Sequence, residues 1–102
     1  MYSVDITDSA KAELRSIFNY IHDELGQSAG AKRIVDKLEK TIYSLKKFPK
    51  FRKYVYNKDY YITNCGKYYI LYKVQEKDKK VIVAHIVYSK KRPKHTSIFP
   101  IL

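Results

Sequence analysis

KYYILYKVQEKDKKVIVAHIVYSKKRPK, residues Lys67–Lys94, is the stretch that decides the fold of this 102-residue chain. Its two apolar runs, Lys67–Val74 and Val81–Tyr88, are too continuous for strands with one side in water. The pattern therefore predicts two strands that are covered on both faces. The charged segment Gln75–Lys80 predicts the hairpin connection between them. Two adjacent strands of this kind indicate the centre of a small sheet, and a basic cluster follows the second strand directly.

The N-terminal half predicts one strand and two helices. Tyr2–Ile6 alternates between apolar and polar residues, which is typical of a strand with one buried face. Thr7 is the predicted N-cap of a helix that runs to about Leu25, and Ser28 is the predicted cap of a second helix that runs to about Lys47. Both helices carry apolar residues at a 3.6-residue spacing. The short break between them predicts an antiparallel helix hairpin.

The middle of the chain completes the predicted order of elements. Pro49 ends the helical pattern, and an irregular strand is predicted over Tyr54–Thr63, with a turn at Asn64–Gly66. The resulting order, β-α-α-β-β-β, predicts an α+β fold in which the helix hairpin packs on one face of a small, mostly antiparallel four-stranded sheet. The length predicts a single domain over residues 1–102.

Positive charge is concentrated in the second half of the chain. The net charge is +11. Residues 1–45 carry −1, whereas residues 46–102 carry +12. Such asymmetry favours a polyanionic partner, either nucleic acid or an acidic protein segment. The cations also alternate with tyrosines, which can stack on bases. The alternative interpretation is a solvated, solubilising surface.

Several classes of protein are disfavoured by the sequence. A single cysteine, Cys65, excludes an intrachain disulfide and favours a reducing compartment. No apolar run reaches the ~20 residues of a membrane span, and the N-terminus does not resemble a secretory signal. The histidines lack zinc-ligand spacing and no nucleotide-binding motif is present, so no metal and no cofactor are expected. A cytoplasmic protein without a membrane partner is the expectation.

Metal-free RNA cleavage is one chemistry that these residues can perform. It needs a base for the 2′-hydroxyl proton, fixed cations for the charge on the phosphate, and an acid for the leaving 5′-oxygen. The candidate catalytic residues are Arg52, Lys67, Lys91, Arg92 and His95. The candidate residues for contacts to the target or nucleic acid are Lys50, Arg52, Lys53, Lys58, Tyr88, Lys90, Lys91, Arg92 and Lys94. For any single residue a solubilising role is the simpler interpretation, whereas the whole cluster favours an anion-facing site.

The three histidines receive different predicted roles. His85 lies within an apolar strand and is interpreted as a buried structural histidine. His22 falls on the polar side of the first helix and is expected to be solvated. His95 follows the basic cluster and is the histidine best placed for acid/base work near an anion.

The chain resembles the RelE/ParE family of toxins from bacterial type II toxin–antitoxin modules. Four stretches carry the resemblance, in order: YSVDITDSAKAEL from Tyr2, SLKKFPKFR from Ser44, GKYYILYKV from Gly66 and VIVAHIVYSKKRPK from Val81. The family fold has the order β-α-α-β-β-β, which is the order that the sequence pattern predicts. The resemblance spans nearly the whole chain.

The resemblance implies a growth-inhibiting toxin and a cognate antitoxin whose extended, often acidic segment wraps it. Two targets stay open. RelE-like members enter the ribosomal A site and cleave mRNA, whereas ParE-like members act on DNA gyrase and are not known as nucleases. The protein is an endoribonuclease in the first case and not an enzyme in the second. A non-toxic nucleic-acid-binding module and an inactivated toxin are further alternatives.

The sequence departs from the nuclease pattern at one strand position. RelE-like nucleases tend to carry an arginine in the pattern Tyr-Arg-Leu-Val-Tyr, and Tyr69 stands at that position here. Lys67 is a candidate substitute, expected on the same strand face as Tyr69. The arginine that ends the last strand of many members aligns with Lys91 or Arg92. The Leu-x-x-x-Pro pattern that begins at Leu45 resembles ParE-type members.

The tail Pro93–Leu102 has two interpretations. Either Ile98 and Phe99 tuck onto the domain, or the tail stays exposed and meets a partner. An exposed apolar tail is unfavourable in water, so tucking is the expectation.

Overall fold

A computed structural model describes residues 1–49 and 52–89 of the chain. The elements are β1 (Ser3–Ile6), α1 (Asp8–Asn19), a π-helical turn (Tyr20–Glu24), α2 (Ser28–Ser44), β2 (Arg52–Lys53), β3 (Tyr61–Cys65), β4 (Tyr68–Gln75) and β5 (Lys80–Tyr88). The sheet order is β1-β5-β4-β3-β2, with β1 parallel to β5 and the other three pairs antiparallel. The predicted α+β class is confirmed. The sheet has five strands rather than four, because Arg52–Lys53 adds a short edge.

The helix hairpin forms largely as the sequence predicts. The Oγ1 atom of Thr7 accepts a hydrogen bond from the Ala10 backbone N–H at 3.1 Å, which confirms the predicted N-cap of α1. The helical run ends at Glu24, and Gly26 then adopts a φ of +64°, a conformation that glycine adopts without steric cost. The predicted cap at Ser28 is wrong. Ser28 is already helical, and Gln27 stands at the cap position without a side-chain cap bond.

The segment between α2 and β4 differs from its prediction. The predicted irregular strand over Tyr54–Thr63 is correct only from Tyr61, where β3 begins. Residues 54–60 form a loop instead, because the Asn57 Oδ1 atom accepts a hydrogen bond from the Asp59 N–H at 3.0 Å and closes a tight turn. Asn64 and Cys65 belong to β3, since both pair with β4. The turn is therefore Gly66–Lys67, with a φ of +58° at Gly66.

The two faces of the sheet are covered differently. The helix face packs against α1 and α2, and its buried core is Ala10, Leu38, Ile42, Leu45, Cys65, Ile70, Tyr72, Val81, Val83 and Ile86. The opposite face, here called the loop face, buries Ile62 and Leu71 beneath Tyr54 and Tyr60 of the loop 54–60. Alternate β4 residues thus enter two separate cores. This confirms the prediction that the central strands are covered on both sides.

Candidate functional site

Three polar side chains lie on the loop face between β2 and β4. Arg52 pairs with Ile62 across β2 and β3, and directly opposite residues share one face of a sheet. Asn64 pairs with Tyr69 of β4. The Nη2 atom of Arg52 donates a long hydrogen bond to Asn64 Oδ1 at 3.4 Å. Arg52, Asn64 and Tyr69 therefore form one group, here called the loop-face row, with its positive charge at one end.

Two lysines, Lys53 and Lys73, are held near the loop 54–60. The Nζ atom of Lys53 donates to the Lys58 carbonyl at 3.0 Å and lies 4.7 Å from the centroid of the Tyr61 ring. The Nζ atom of Lys73, which was not predicted as a site residue, lies 4.9 Å from the Tyr60 ring centroid. Both placements are cation–π contacts, which fix the direction of otherwise flexible side chains.

Other candidate residues lie elsewhere on the molecule. Lys67 sits in the turn between β3 and β4, so the expectation that it shares a strand face with Tyr69 is wrong. Tyr88 packs beside Tyr68 with ring centroids 5.5 Å apart, and both rings line a groove beneath the helices. Tyr88 therefore belongs to the helix face, whereas Arg52 belongs to the loop face. The structure does not bring these two candidates together.

The remaining candidates fall outside the described residues. They are Lys50, Lys90, Lys91, Arg92, Lys94 and His95. The backbone N–H of Ser89 donates to the Lys67 carbonyl, at 2.6 Å. Ser89, the last described residue, thus lies beside the Gly66–Lys67 turn. The tail Pro93–Leu102 also lies outside the described residues.

His85 has the structural role that the sequence predicts. It is buried, and its Nδ1 atom lies 3.2 Å from Glu13 Oε2. The other carboxylate oxygen of Glu13 accepts a hydrogen bond from the Ile86 backbone N–H at 3.0 Å. β1 pairs with β5 only as far as Val83, so at Ile86 the Glu13 carboxylate takes the place of a strand neighbour within the described part of the chain. Glu13 thereby ties α1 to the sheet.

His22 also agrees with its prediction. Its ring is exposed, stacks on Phe18 with centroids 5.6 Å apart, and places Nδ1 at 2.8 Å from Asp23 Oδ1. The imidazole lies on the outside of the helix hairpin, whereas the loop-face row lies on the opposite side of the sheet.

A large groove between the helix hairpin and the ends of β4 and β5 was not predicted. It has a volume of about 1040 Å³ and is here called the hairpin groove. Its apolar lining includes Ile17, Ile21, Leu25, Ile34, Leu38, Cys65 and Ile86. Sequence reasoning missed it because these residues follow the same periodicity as core residues. A usable signal was the continuation of the apolar stripe to Leu25, which is 50% exposed in the structure.

Tyrosines surround the mouth of the hairpin groove. Tyr20, Tyr68 and Tyr88 all line it, and Tyr20 is 57% exposed. Burial raises the pKa of Tyr68, and the neighbouring phenols of Tyr88 and Tyr20 raise it further. On the loop-face side, burial followed by the nearby Tyr56 phenol raises the pKa of Tyr54. Tyr54 and Tyr68 therefore act as neutral hydrogen-bonding groups rather than as bases at neutral pH.

Within residues 1–49 and 52–89, no group of three His, Cys, Asp or Glu side chains is arranged to hold a metal ion. In the same part of the chain, no helix combines the length and apolarity needed to cross a bilayer.

Comparison with known proteins identifies the class. A sequence model described as the ParE toxin of type II toxin-antitoxin system, parDE, matches residues 4–93. The chain belongs to this family and is a type II toxin of the RelE/ParE superfamily. The resemblance seen in the sequence is thereby confirmed. No curated protein is significantly similar to the sequence.

Solved structures share the fold at low sequence identity. The chromosomal ParDE system of P. aeruginosa aligns with a TM-score of 0.75 at 15% identity, covering 86% of this chain and 96% of that one. The isolated E. coli RelE toxin aligns with a TM-score of 0.66 at 18% identity and covers 100% of both chains. The archaeal RelE–RelB complex of Pyrococcus horikoshii gives a TM-score of 0.62 at 18% identity, covering 89% of this chain and 98% of that one.

Proposed function

We propose that this toxin inhibits growth by acting on DNA gyrase, as the resemblance implies for ParE-like members, and that a cognate antitoxin neutralises it. The observation that carries the gyrase proposal is Tyr69. It stands on the loop face at the strand position where RelE-like nucleases tend to carry arginine. A phenol carries no positive charge in either protonation state, so Tyr69 cannot stabilise charge on a phosphate as an arginine does.

The placement of the other candidate groups supports the same proposal. Lys67, the expected substitute for the missing arginine, lies in a turn. The two histidines in the described part of the chain are engaged elsewhere, His85 with Glu13 and His22 with Asp23. A base, an acid and fixed cations must converge on one phosphate for RNA cleavage. The described residues on the loop face offer Arg52 and Lys73 without an imidazole beside them.

Ribosome-dependent mRNA cleavage is the second candidate function, and Arg52 favours it. Its guanidinium shares the loop face with Tyr69 and is held by Asn64. An arginine supplied from β2 rather than β4 would place a fixed cation on the same face of the sheet. The basic residues Lys90, Lys91 and Arg92, with His95, would then complete such a site.

Two purified assays separate these functions. We expect the toxin to inhibit DNA supercoiling by gyrase and to leave mRNA intact in a reconstituted translation system. Cleaved mRNA together with undisturbed supercoiling would reject the gyrase proposal and favour the nuclease. In cells, an SOS response with intact messages supports gyrase as the target, whereas immediate loss of translation with cleaved messages opposes it.

An acidic antitoxin is the proposed partner. The second half of this chain carries +12, which favours an acidic binding segment. The similar structures from P. aeruginosa and Pyrococcus horikoshii are a ParDE toxin–antitoxin system and a RelE–RelB complex, respectively. We expect a small acidic protein encoded beside this toxin to co-purify with it and to restore growth. Binding that is insensitive to salt would contradict an electrostatic contribution to the complex.

A further inference from the structure

The loop 54–60 presents two apolar side chains to solvent. Val55 is 79% exposed and Tyr56 is 51% exposed, and the pair is here called the loop tip. Within residues 1–49 and 52–89, it is the single pair of sequence neighbours that are both large, apolar and exposed. Apolar residues scattered singly over a surface need no explanation, whereas a contiguous group is typical of a contact site.

Several contacts hold the loop tip in place from beneath. The Tyr54 N–H donates to the Tyr60 carbonyl at 2.9 Å, and the Tyr60 N–H donates to the Asn57 carbonyl at 3.0 Å. Tyr54 and Tyr60 are buried against the sheet, and the Tyr56 ring packs edge-on against Tyr54 with centroids 5.4 Å apart. The loop is therefore ordered before any partner arrives, so binding does not have to supply that ordering free energy.

Cationic side chains lie in this loop and against it. Lys58 belongs to the loop and is exposed. The Nζ atom of Lys53 donates to the Lys58 carbonyl, and the Nζ atom of Lys73 lies over the Tyr60 ring. The loop itself contains one acidic residue, Asp59. Because positive charge is in excess here, the complementary surface of a partner is acidic.

We propose that the loop tip is the surface through which the toxin contacts gyrase, at an apolar depression with an acidic rim on that enzyme. This assignment rests on the proposed function, which makes gyrase the target. A toxin that is not an enzyme acts by contact, and contact requires an exposed anchor of this kind.

The shape and chemistry of the loop tip favour a folded protein over other partners. Val55 favours a protein over a nucleic acid, because an aliphatic side chain neither stacks on a base nor binds a phosphate. An ordered, exposed tip can enter a depression on a folded surface. The extended antitoxin segment implied by the resemblance instead suits a groove or a strand edge.

Binding of the purified full chain to purified gyrase, measured without DNA, tests the loop tip directly. The double variant Val55→Ser, Tyr56→Ser is expected to weaken both this binding and the inhibition of supercoiling by about tenfold or more, because a few exposed anchors carry most of the energy of an interface. Tyr43→Ser is the matched control, since Tyr43 is 49% exposed on α2 and loses the same ring. It is expected to leave both measurements unchanged. Circular dichroism confirms that each variant retains the fold.

The outcomes separate the loop tip from the proposed function. If the unmodified toxin neither binds gyrase nor inhibits supercoiling, the proposed function fails and the loop-tip proposal fails with it. If the unmodified toxin and the double variant inhibit gyrase equally, the proposed function stands and the loop tip is rejected. Binding that requires DNA would also overturn the proposal, since nucleic acid would then be the occupant. Retained inhibition with lost antitoxin binding would assign the tip to the antitoxin instead.

Charge reversal tests the acidic character of the partner surface. Lys58→Glu is expected to weaken gyrase binding several-fold, whereas Lys77→Glu, at an exposed position between β4 and β5, is expected to leave it unchanged. The affinity of the unmodified toxin for gyrase is expected to fall as the salt concentration rises. Equal affinities of the two variants, or binding that is indifferent to salt, would contradict an acidic rim at the contact.

Discussion

The helix face and the loop face of this sheet are both buried, yet different elements cover them. The helix face packs aliphatic residues of β4 and β5 against two amphipathic helices. The loop face is covered by one loop, whose Tyr54 and Tyr60 lie over Ile62 and Leu71, and the Lys73 Nζ atom lies over the Tyr60 ring. From this difference we expect the helix face to supply most of the stability of the fold. The other side is free to present charge and hydrogen-bonding groups.

The largest effect expected from this comparison is on toxicity. Reversing the charges of Lys90, Lys91 and Arg92 together is expected to abolish growth inhibition without lowering the melting temperature, because a polyanionic or acidic surface no longer meets a cationic one. Growth after induction and thermal melting of the purified variant are the two measurements.

A matched control places the same change of charge on the helix side. Lys32, Arg33 and Lys40 are exposed on α2, and their reversal to Glu is expected to leave toxicity nearly intact. Equal loss of toxicity in both triple variants would show that net charge alone matters. A folded and fully toxic Lys90, Lys91 and Arg92 variant would remove this cluster from the functional site.

The next effect concerns stability and uses two neighbouring residues of β4. Ile70 and Leu71 are both fully buried, but Ile70 enters the helix-face core and Leu71 enters the loop-face core. Ile70→Ala is expected to lower the free energy of unfolding by about 3 kcal/mol, within the range for large-to-small core substitutions. Leu71→Ala is expected to cost less, because a single loop can settle into the space. Urea denaturation measures both, and a larger cost at Leu71 would reverse the assignment of stability to the helix face.

A smaller loss of stability is expected on removing the polar side chains that cap α1 and close the turn in the loop 54–60. Thr7 caps α1 through the Ala10 N–H, so Thr7→Ala is expected to cost about 1 kcal/mol of unfolding free energy. Asn57 closes the turn in the loop 54–60, and Asn57→Ala is expected to cost less than the loss of the cap. Thermal melting of the two variants tests this order. If Asn57→Ala were the more damaging change, the loop would be a stability element.

The smallest effect is a dependence of stability on alkaline pH. Burial raises the pKa of Tyr54 beside the loop face and of Tyr68 beside the helices. As the pH rises past about 10, the unfolded chain loses these phenolic protons first, so the free energy of unfolding falls. Tyr54→Phe and Tyr68→Phe should each weaken this fall. Denaturation at pH 8 and at higher pH measures it, and an unchanged slope in both variants would contradict the assignment.

Much of the fold could be predicted because its signals are local. The Thr7 cap, the helical spacing and the continuous apolar run of β4 each depend on residues close in sequence. The loop 54–60 could not be read as a loop, because its alternating tyrosines imitate a strand. Their partners, Ile62 and Leu71, are fixed only by tertiary packing.

The candidate site was less predictable for the same physical reason. Sequence proximity grouped Tyr88 with the basic cluster, but alternation of strand side chains turns Tyr88 toward Tyr68 and the helices. The contact between Arg52 and Asn64 joins two strands and has no local signal. The hairpin groove exists only once the helices meet the sheet, so its local signal is limited to the apolar stripe that continues to Leu25.

Glu13 has a consequence for strand pairing at the edge of the sheet. Among the strands that the structure describes, none pairs with β5 beyond Val83 on the β1 side, and an open edge can template pairing with another chain. The Glu13 carboxylate already holds the Ile86 N–H there, so an incoming strand finds that donor occupied and meets a negative charge. At the far edge of the sheet, β2 ends after two cationic residues. We therefore expect the Glu13 carboxylate to oppose the addition of a further strand at this edge.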